Sequence, residues 1–407
     1  MPALRFRALL LLIAGLLLTS LSARSERPRA AFPQFRRHVI EAHFSGGYGI
    51  ALADVDNDRR PDVIALGGRV VWYRNPDWQS RPIANTSGNI CVVPRDIDGD
   101  GQVEMALAFD FSLGNSSAGG TVAILRRRAD LNQKWDRQII DHSPTTHRLK
   151  WGRDGALFGI PIIGKGSKRP YQDVPAKVVR YAPPQQAGGQ WKPELVNDRL
   201  HVIHNGQLYD LNGDGEQELL LASSDGLYAC WIMGRDVPSA QGGAPAWVSL
   251  RLGKGDESNP PPDSGCSEVA VGRLGKRRVG FIATIEPWHG DKVAVYRPEK
   301  KRPFPGRYRR TVIDAPGRAG HALAVADLNG DGRDDIVAGF RQPTNRLFIY
   351  ECLNDRATRW RKHVIETEVA VQGVMIGDLN DDGRPDIAAI GGPRIRWYEN
   401  RPAPPGT

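Results

Sequence analysis

In the stretch DLNGDGRDDIVAGF, oxygen-bearing side chains stand at loop positions one, three, five and nine: Asp327, Asn329, Asp331 and Asp335. Hard cations such as calcium take six to eight oxygens, and a glycine at position six lets the backbone turn tightly round the ion. The spacing recurs four times, as Asp54, Asp56, Asp58 and Asp62; Asp96, Asp98, Asp100 and Glu104; Asp210, Asn212, Asp214 and Glu218; and Asp378, Asn380, Asp382 and Asp386. Gly101, Gly215, Gly332 and Gly383 supply the turn, whereas Arg59 departs from it. An EF-hand would need a bidentate Glu at position twelve between two helices. Position twelve is Ala65, Leu107, Leu221, Ala338 or Ala389, and an apolar run follows each loop at once. The expectation is up to five structural calcium sites in loops between strands.

The loops start 42, 114, 117 and 51 residues apart, so the two long gaps each hide one further unit. Eroded copies stand there, LKWGRDGALFGIPIIG around Arg153 and VAVGRLGKRRVGFIAT around Gly272, which brings the count to seven. Neither keeps the acidic set, so both are expected to hold no metal. Around each loop lie four short runs rich in Val, Ile and aromatic residues, such as HALAVA, DIVAGF, RLFIYE and RTVIDA, divided by Gly, Pro, Asn or Asp. That is a strand signal. Four strands in about 54 residues make a propeller blade. The fold expected is all-β, a seven-bladed β-propeller over residues 37–400. Its last unit stops after a third strand at Asn400, while RHVIEA from Arg37 repeats the fourth-strand run KHVIET from Lys362. The N-terminal strand should therefore close blade 7 and remove an open sheet edge.

Six residues before each loop start, where innermost strands begin, stand Tyr48, Ile90 (with Asn89 beside it), His147, His204, Cys266, His321 and Gln372. Three of the nine histidines fall in this column. Links returning to the same end add Asp110, Glu286, Trp288, His289 and Arg341, and THRLKW adds Arg148 and Trp151. Converging histidine, carboxylate, arginine and tryptophan at a concave mouth describe a pocket for a polar ligand. The residues expected to contact ligand are Tyr48, Asn89, Asp110, Arg148, Trp151, Trp288, Arg341 and Gln372, on the face away from the acidic loops. His38 and His363, in the repeated outer strand, read as structural.

Two arginines, the apolar run Ala8 to Leu18, and then Ser20, Ser22 and Ala23 have the order of a secretory signal. Residues 1–23 are expected to be removed, 24–36 to be a linker and 401–407 a tail, giving an exported protein, periplasmic or extracellular. The 11-residue run is too short to span a bilayer, so no stable membrane insertion is expected. The formal charge is +9, or +7 once Arg5 and Arg7 leave, spread over scattered turns rather than a patch. Nucleic acid is not an expected partner; a carbohydrate or other polar small ligand is, and a protein partner stays open. Cys91, Cys230, Cys266 and Cys352 fall in different units and are expected as free thiols.

The acidic loop followed by a strand resembles the FG-GAP (VCBS) repeat of integrin α-subunit propellers and many exported bacterial proteins. In that family the loop joins the innermost strand to the second and carries structural calcium. HALAVADLNGDGRDDIVAGFR, EPWHGDKVAVYRP and the HVIE…WYEN punctuation resemble the propeller domain of the aldos-2-ulose dehydratase family. Fungal members also carry cupin domains, and residues 37–400 correspond to the propeller alone. The resemblance implies a lyase that eliminates water from keto sugars such as 1,5-anhydro-fructose. Such chemistry needs a base for the α-proton, a Lewis acid or proton donor at the carbonyl, and an acid for the leaving hydroxyl. His147 is the candidate base and His289 the acid or metal ligand, with His204 and His321 completing a candidate zinc site. The alternative is a non-catalytic propeller that binds a glycan or a protein, as in adhesion.

Overall fold

The computed structural model describes residues 31–186, 188–233, 246–299 and 304–403. Among them lie 28 strands in seven four-stranded antiparallel sheets, with no helix. The protein is an all-β, seven-bladed β-propeller. The expected signal segment lies outside the described residues, as do residues 404–407. The first strand begins at Gln34, inside the expected linker, and the last ends at Arg401.

The second strand of six blades, such as Glu104–Phe109, Asp335–Phe340 or Asp386–Gly391, is buried along its whole length, and that of blade 5 is buried after Arg277 and Arg278. Neighbouring blades cover both faces of a second strand, so its sequence reads as an unbroken apolar run rather than an alternating one. Inner strands run side by side around the axis: Gly49–Ala53, Cys91–Arg95, Thr146–Trp151, Ile203–Tyr209, Glu268–Leu274, Gly320–Ala326 and Gly373–Gly377 for blades 1 to 7. Within blade 5 the cross-strand partner dictates glycine at Gly272, where a Cβ would come within 2.2 Å of the Phe281 ring. Gln34–Glu41 pairs antiparallel with Arg394–Arg401 and supplies the fourth strand of blade 7. The last inner strand packs beside the first, so the ring is closed.

A latch between blades recurs four times. A tyrosine on a third strand gives its hydroxyl hydrogen to a carboxylate at the end of the preceding blade's fourth strand. The pairs are Tyr73 with Glu41 (3.5 Å), Tyr181 with Asp141 (2.5 Å), Tyr350 with Asp314 (2.8 Å) and Tyr398 with Glu366 (2.9 Å). Burial first, and then the neighbouring carboxylate, raises each phenol's pKa, so it stays a donor. His38 bonds Glu399 and stacks on Trp397, while His363 bonds Glu351 and stacks on Phe32. Both belong to the outer wall, as read from sequence. Cys91, Cys230, Cys266 and Cys352 are thiols rather than disulfides.

Tyr398→Phe in the closing blade removes one hydrogen-bond donor from the buried Glu366 carboxylate of blade 6. It should lower unfolding free energy by about 1–2 kcal/mol in denaturant titrations. An unchanged midpoint would show that the latch contributes nothing.

Candidate functional site

Three histidines reach the axis because the strands that carry them are bulged. Pairing with the second strand slips between Thr146 and Arg148, between Ile203 and Asn205, and between Gly320 and Ala322. The residue skipped is His147, His204 and His321 respectively. A bulge re-aims its side chain and lets the next residue face the same side. His289 arrives from the link between the second and third strands of blade 5, with φ at 49°.

The imidazoles are oriented by their Nδ1 atoms. That of His147 donates to the His204 carbonyl (2.9 Å) and that of His321 to the Gln372 carbonyl (2.7 Å). Nδ1 of His204 faces the Glu268 carboxylate at 2.7 Å and the Ser267 hydroxyl at 3.2 Å. Their Nε2 lone pairs are therefore turned toward the axis. Nε2 of His204 lies 3.1 Å from Nε2 of His289, and one ligand atom from each of His204, His289 and His321 falls within 4.8 Å of the others. Two nitrogens on a tetrahedral zinc at 2.0–2.1 Å would stand roughly 3.3 Å apart. Burial pushes all four imidazoles below their usual pKa, so they are neutral and able to donate lone pairs. Burial works against Glu268, yet His204, Arg148 and Asn205 hold its pKa below the usual range. A carboxylate or carbonyl behind His147, His204 and His321 is the second layer that metal-ligating histidines require. The donor set thus fits a divalent cation.

Tyr48 stands between two of these rings. Its hydroxyl lies 2.8 Å from Nε2 of His147 and 3.4 Å from Nε2 of His321. Arg148 donates to the His147 carbonyl and ring nitrogen, both at 3.1 Å, and its far end lies 4.0 Å from Glu268.

A cavity of about 250 Å³ is lined by Tyr48, Arg148, Lys150, Asn205, Glu268, His321 and Gln372, with Ala51, Val93, Leu323 and Met375 further along the channel. Inner strands run from the histidines toward the acidic loops, so this space lies beneath the histidines. The expected pocket on the opposite face is not what these residues form. There Phe111, Leu113, Ile162, Ile163, Tyr171, Val202 and Trp288 make an apolar cluster. Phe111 packs 5.7 Å from His147 and Trp288 5.0 Å from His289.

Of the ligand contacts expected, Tyr48, Arg148 and Gln372 line the cavity, whereas Asn89, Asp110, Trp151, Trp288 and Arg341 do not. Asn89 uses its amide on Gly67, Thr86 and its own turn. Trp151 sits at the opposite end of its strand, bonded to the Val93 carbonyl and stacked near Trp191. Trp288 is buried in the apolar cluster. Asp110 is exposed, with φ at 61° to make its turn. Arg341 hydrogen-bonds through its backbone to Ala319, which bonds His289. Glu286 and Cys266 belong to blade 5's interior, where Arg310 and Tyr296 hold the carboxylate. Glu268, Asn205 and Lys150 were missed, because they lie past the aligned column on the channel face.

In the five acidic loops, the first carboxylate accepts amides from within its own loop, as Asp327 does from Asp331 and Gly332. The ninth-position carboxylate is a buried buckle. Asp386 accepts the amides of Leu379 and Asn400, and Asp335 those of Leu328 and Cys352. Asn400 also bonds the Leu328 carbonyl in the blade 6 loop, and Asn75 likewise bonds Leu379. Ligand oxygens come together in Asp54, Asp56 and Asp58 and in Asp96, Asp98 and Glu104. Asp56 keeps a buried oxygen with no hydrogen-bond partner, which a cation would satisfy. The two eroded loops differ: Asp154 pairs with Arg180 (2.6 Å), and Gly275 bonds the Gly332 carbonyl of blade 6.

Fold and loops define the class, a seven-bladed propeller with FG-GAP-like repeats. Residues 327–389 match the FG-GAP-like repeat model, and residues 119–299 match the model of the aldos-2-ulose dehydratase β-propeller domain. A curated relative, the aldos-2-ulose dehydratase of Phanerodontia chrysosporium, is 24% identical over 355 residues. The match covers 77% of this chain and 38% of that protein, so this chain corresponds to about two fifths of it. A chain in the crystal structure of the mitotic checkpoint complex superposes with a TM-score of 0.56 at 13% identity, covering 97% of this chain and 99% of that one. BBS1N, from its complex with ARL6DN, gives 0.53 at 13% identity, covering 93% and 97%. These two share the fold.

The ninth-position carboxylates set a pH dependence. Burial raises Asp62 and Glu218 to about 7, Asp335 to about 8 and Asp386 to about 6. Each binds its proton more tightly folded than unfolded, where carboxyls titrate near 4. Their contribution to stability is therefore full in acid and is lost as pH rises through those values. The buried histidines act oppositely below about pH 6.5, since they protonate only when unfolded. With chelator present, the melting temperature should fall between pH 6.5 and 8.5, and less steeply in Asp335→Asn. A flat or rising profile would contradict the burial argument.

Proposed function

We propose that this chain is a carbohydrate dehydratase acting on a keto sugar, with a divalent metal at His204, His289 and His321. The observation that carries the reading is the convergence of three neutral imidazoles within 4.8 Å, with the second nitrogens of His204 and His321 held by Glu268 and the Gln372 carbonyl. Three nitrogens with an open fourth position suit catalytic zinc. A cation there would polarise a sugar carbonyl as a Lewis acid.

The residues around it supply the proton chemistry. Tyr48 faces the cavity and gives its hydrogen to Nε2 of His147, whose own Nδ1 hydrogen is committed to the His204 carbonyl. His147 thus serves as the base through Tyr48 once Arg148 releases the same ring nitrogen. The α-proton passes to the Tyr48 oxygen as the tyrosine proton moves to His147. The same proton returns to the departing hydroxyl, which leaves as water and gives an unsaturated keto sugar. Arg148 keeps the His147 side of the cavity positive, and the apolar cluster round Trp288 keeps bulk water from the rings.

The five acidic loops are inferred to hold calcium, supported by their oxygen spacing and by the unpartnered Asp56 oxygen. The reading includes export, which the N-terminal segment supports. A glycan-binding role without turnover is the second reading, favoured by the FG-GAP match over residues 327–389.

Dialysed protein should retain about one transition-metal ion per chain beside calcium, by mass spectrometry. His204→Ala should lose that ion. His147→Ala should keep it while water elimination from 1,5-anhydro-D-fructose falls about a hundredfold or more. Calcium alone, with sugar binding and no turnover, would leave the second reading standing.

A further inference from the structure

We propose that the cavity selects an acidic sugar, a keto sugar that carries a carboxylate, and that Lys150 with Arg148 anchors that group. The keto half of this statement rests on the dehydratase reading; the acid half does not. Arg148 and Lys150 are alternate residues of one inner strand, so both project to the channel, roughly 7 Å apart along it. Both line the cavity, whose wall otherwise carries the single carboxylate of Glu268.

That carboxylate is already engaged, although its Oε1 lacks a well-aligned hydrogen bond. One oxygen faces His204 at 2.7 Å, the other accepts the Asn205 amide, and Arg148 stands 4.0 Å away. Among the described residues the Lys150 ammonium has no hydrogen bond or ion pair. Lys150 is partly buried in the channel wall, where burial lowers its pKa and Glu268 opposes that only through space; an ammonium so placed with no ion-pair partner is costly. An anion beside it removes that cost.

The rest of the lining suits a sugar rather than a bare ion. Gln372 presents a buried oxygen with no hydrogen-bond partner, ready for a hydroxyl. Leu323 and Met375 cover a carbon skeleton. With the carboxylate on Lys150 and Arg148, the other end of the molecule points toward Tyr48 and His321. The substrate class is thus an oxidised keto sugar, the product of a reaction that converts a sugar's terminal carbon to an acid.

Calorimetry on the metal-loaded full chain tests the acid half without turnover. D-Gluconate should bind about tenfold or more tighter than D-glucose or inorganic phosphate. Lys150→Met should weaken gluconate about ten- to a hundredfold, with Lys150→Arg recovering part of the loss. Glucose or phosphate binding as tightly as gluconate, or gluconate indifferent to Lys150→Met, would overturn the proposal. Kinetics with 2-keto-D-gluconate and 1,5-anhydro-D-fructose separate the two readings. If gluconate binds through Lys150 but neither keto sugar is turned over, the dehydratase reading falls and the acid subsite stands. If the neutral sugar is the better substrate, the dehydratase reading stands and the acid subsite falls.

Discussion

Every imidazole pinned at the axis through Nδ1 is pinned by the blade after its own. His147 of blade 3 donates to the backbone of blade 4, His204 of blade 4 faces Ser267 and Glu268 at the start of blade 5, and His321 of blade 6 donates to Gln372 at the start of blade 7. Each such bond contributes on the order of 1 kcal/mol to stability, but its larger effect is on chemistry. It decides which nitrogen carries hydrogen and which presents a lone pair. The site is therefore a property of the closed ring. The N-terminal strand that completes blade 7, far out on the rim, helps hold Gln372 in the place where it orients His321.

The acidic loops do related work at the other end of the inner strands. In blades 1, 6 and 7 the ninth-position aspartate ties its own loop to the end of the third strand, and Asn75 and Asn400 tie that strand to the loop of the preceding blade. Loop, strand and neighbouring blade are thereby one hydrogen-bonded unit. Desolvated carboxylates crowded by others carry strain that a proton or a cation relieves. Tyrosine latches on the fourth strands complete the girdle, so blades are joined near the axis, at the loops and at the rim.

Most of this fold was legible because a propeller repeats one short pattern. Acidic spacing located the loops, unbroken apolar runs located the second strands, and the spare RHVIEA located the closure. The histidine column was legible for the same reason. What could not be read was which way side chains at the head of each strand point. A β-bulge adds one residue to one side of a pairing and leaves no mark in residue types. Alternation therefore gave no warning that both His147 and Arg148, or His204 and Asn205, face inward. Glu268 and Lys150 lay past the aligned column, and Trp151 looked like a mouth residue because it follows His147 closely, although it lies at the far end of its strand. The side of the histidines on which the cavity opens depends on the Phe111–Trp288 cluster, built from links between three blades that no spacing relates.

The two kinds of cation site proposed for this scaffold would rest on two kinds of backbone. Calcium accepts irregular coordination by many oxygens at longer distances, and short glycine-containing loops with several carboxylates can offer that. A tetrahedral nitrogen site needs ligand atoms placed to a few tenths of an ångström, which a loop of that kind cannot guarantee. Here His204 and His321 issue from bulged strands in the middle of the ring, and only His289 comes from a link, whose backbone is fixed by hydrogen bonds from Ala319 and Gly320. The bulge is what reconciles rigidity with aim. A regular strand would turn alternate side chains into the blade interior, and a free loop would leave the imidazoles unconstrained. Placing the bulge at the mouth end of three inner strands puts nitrogen donors on the stiffest part of the molecule, and leaves Arg148, Lys150 and Asn205 below them to meet whatever enters the channel.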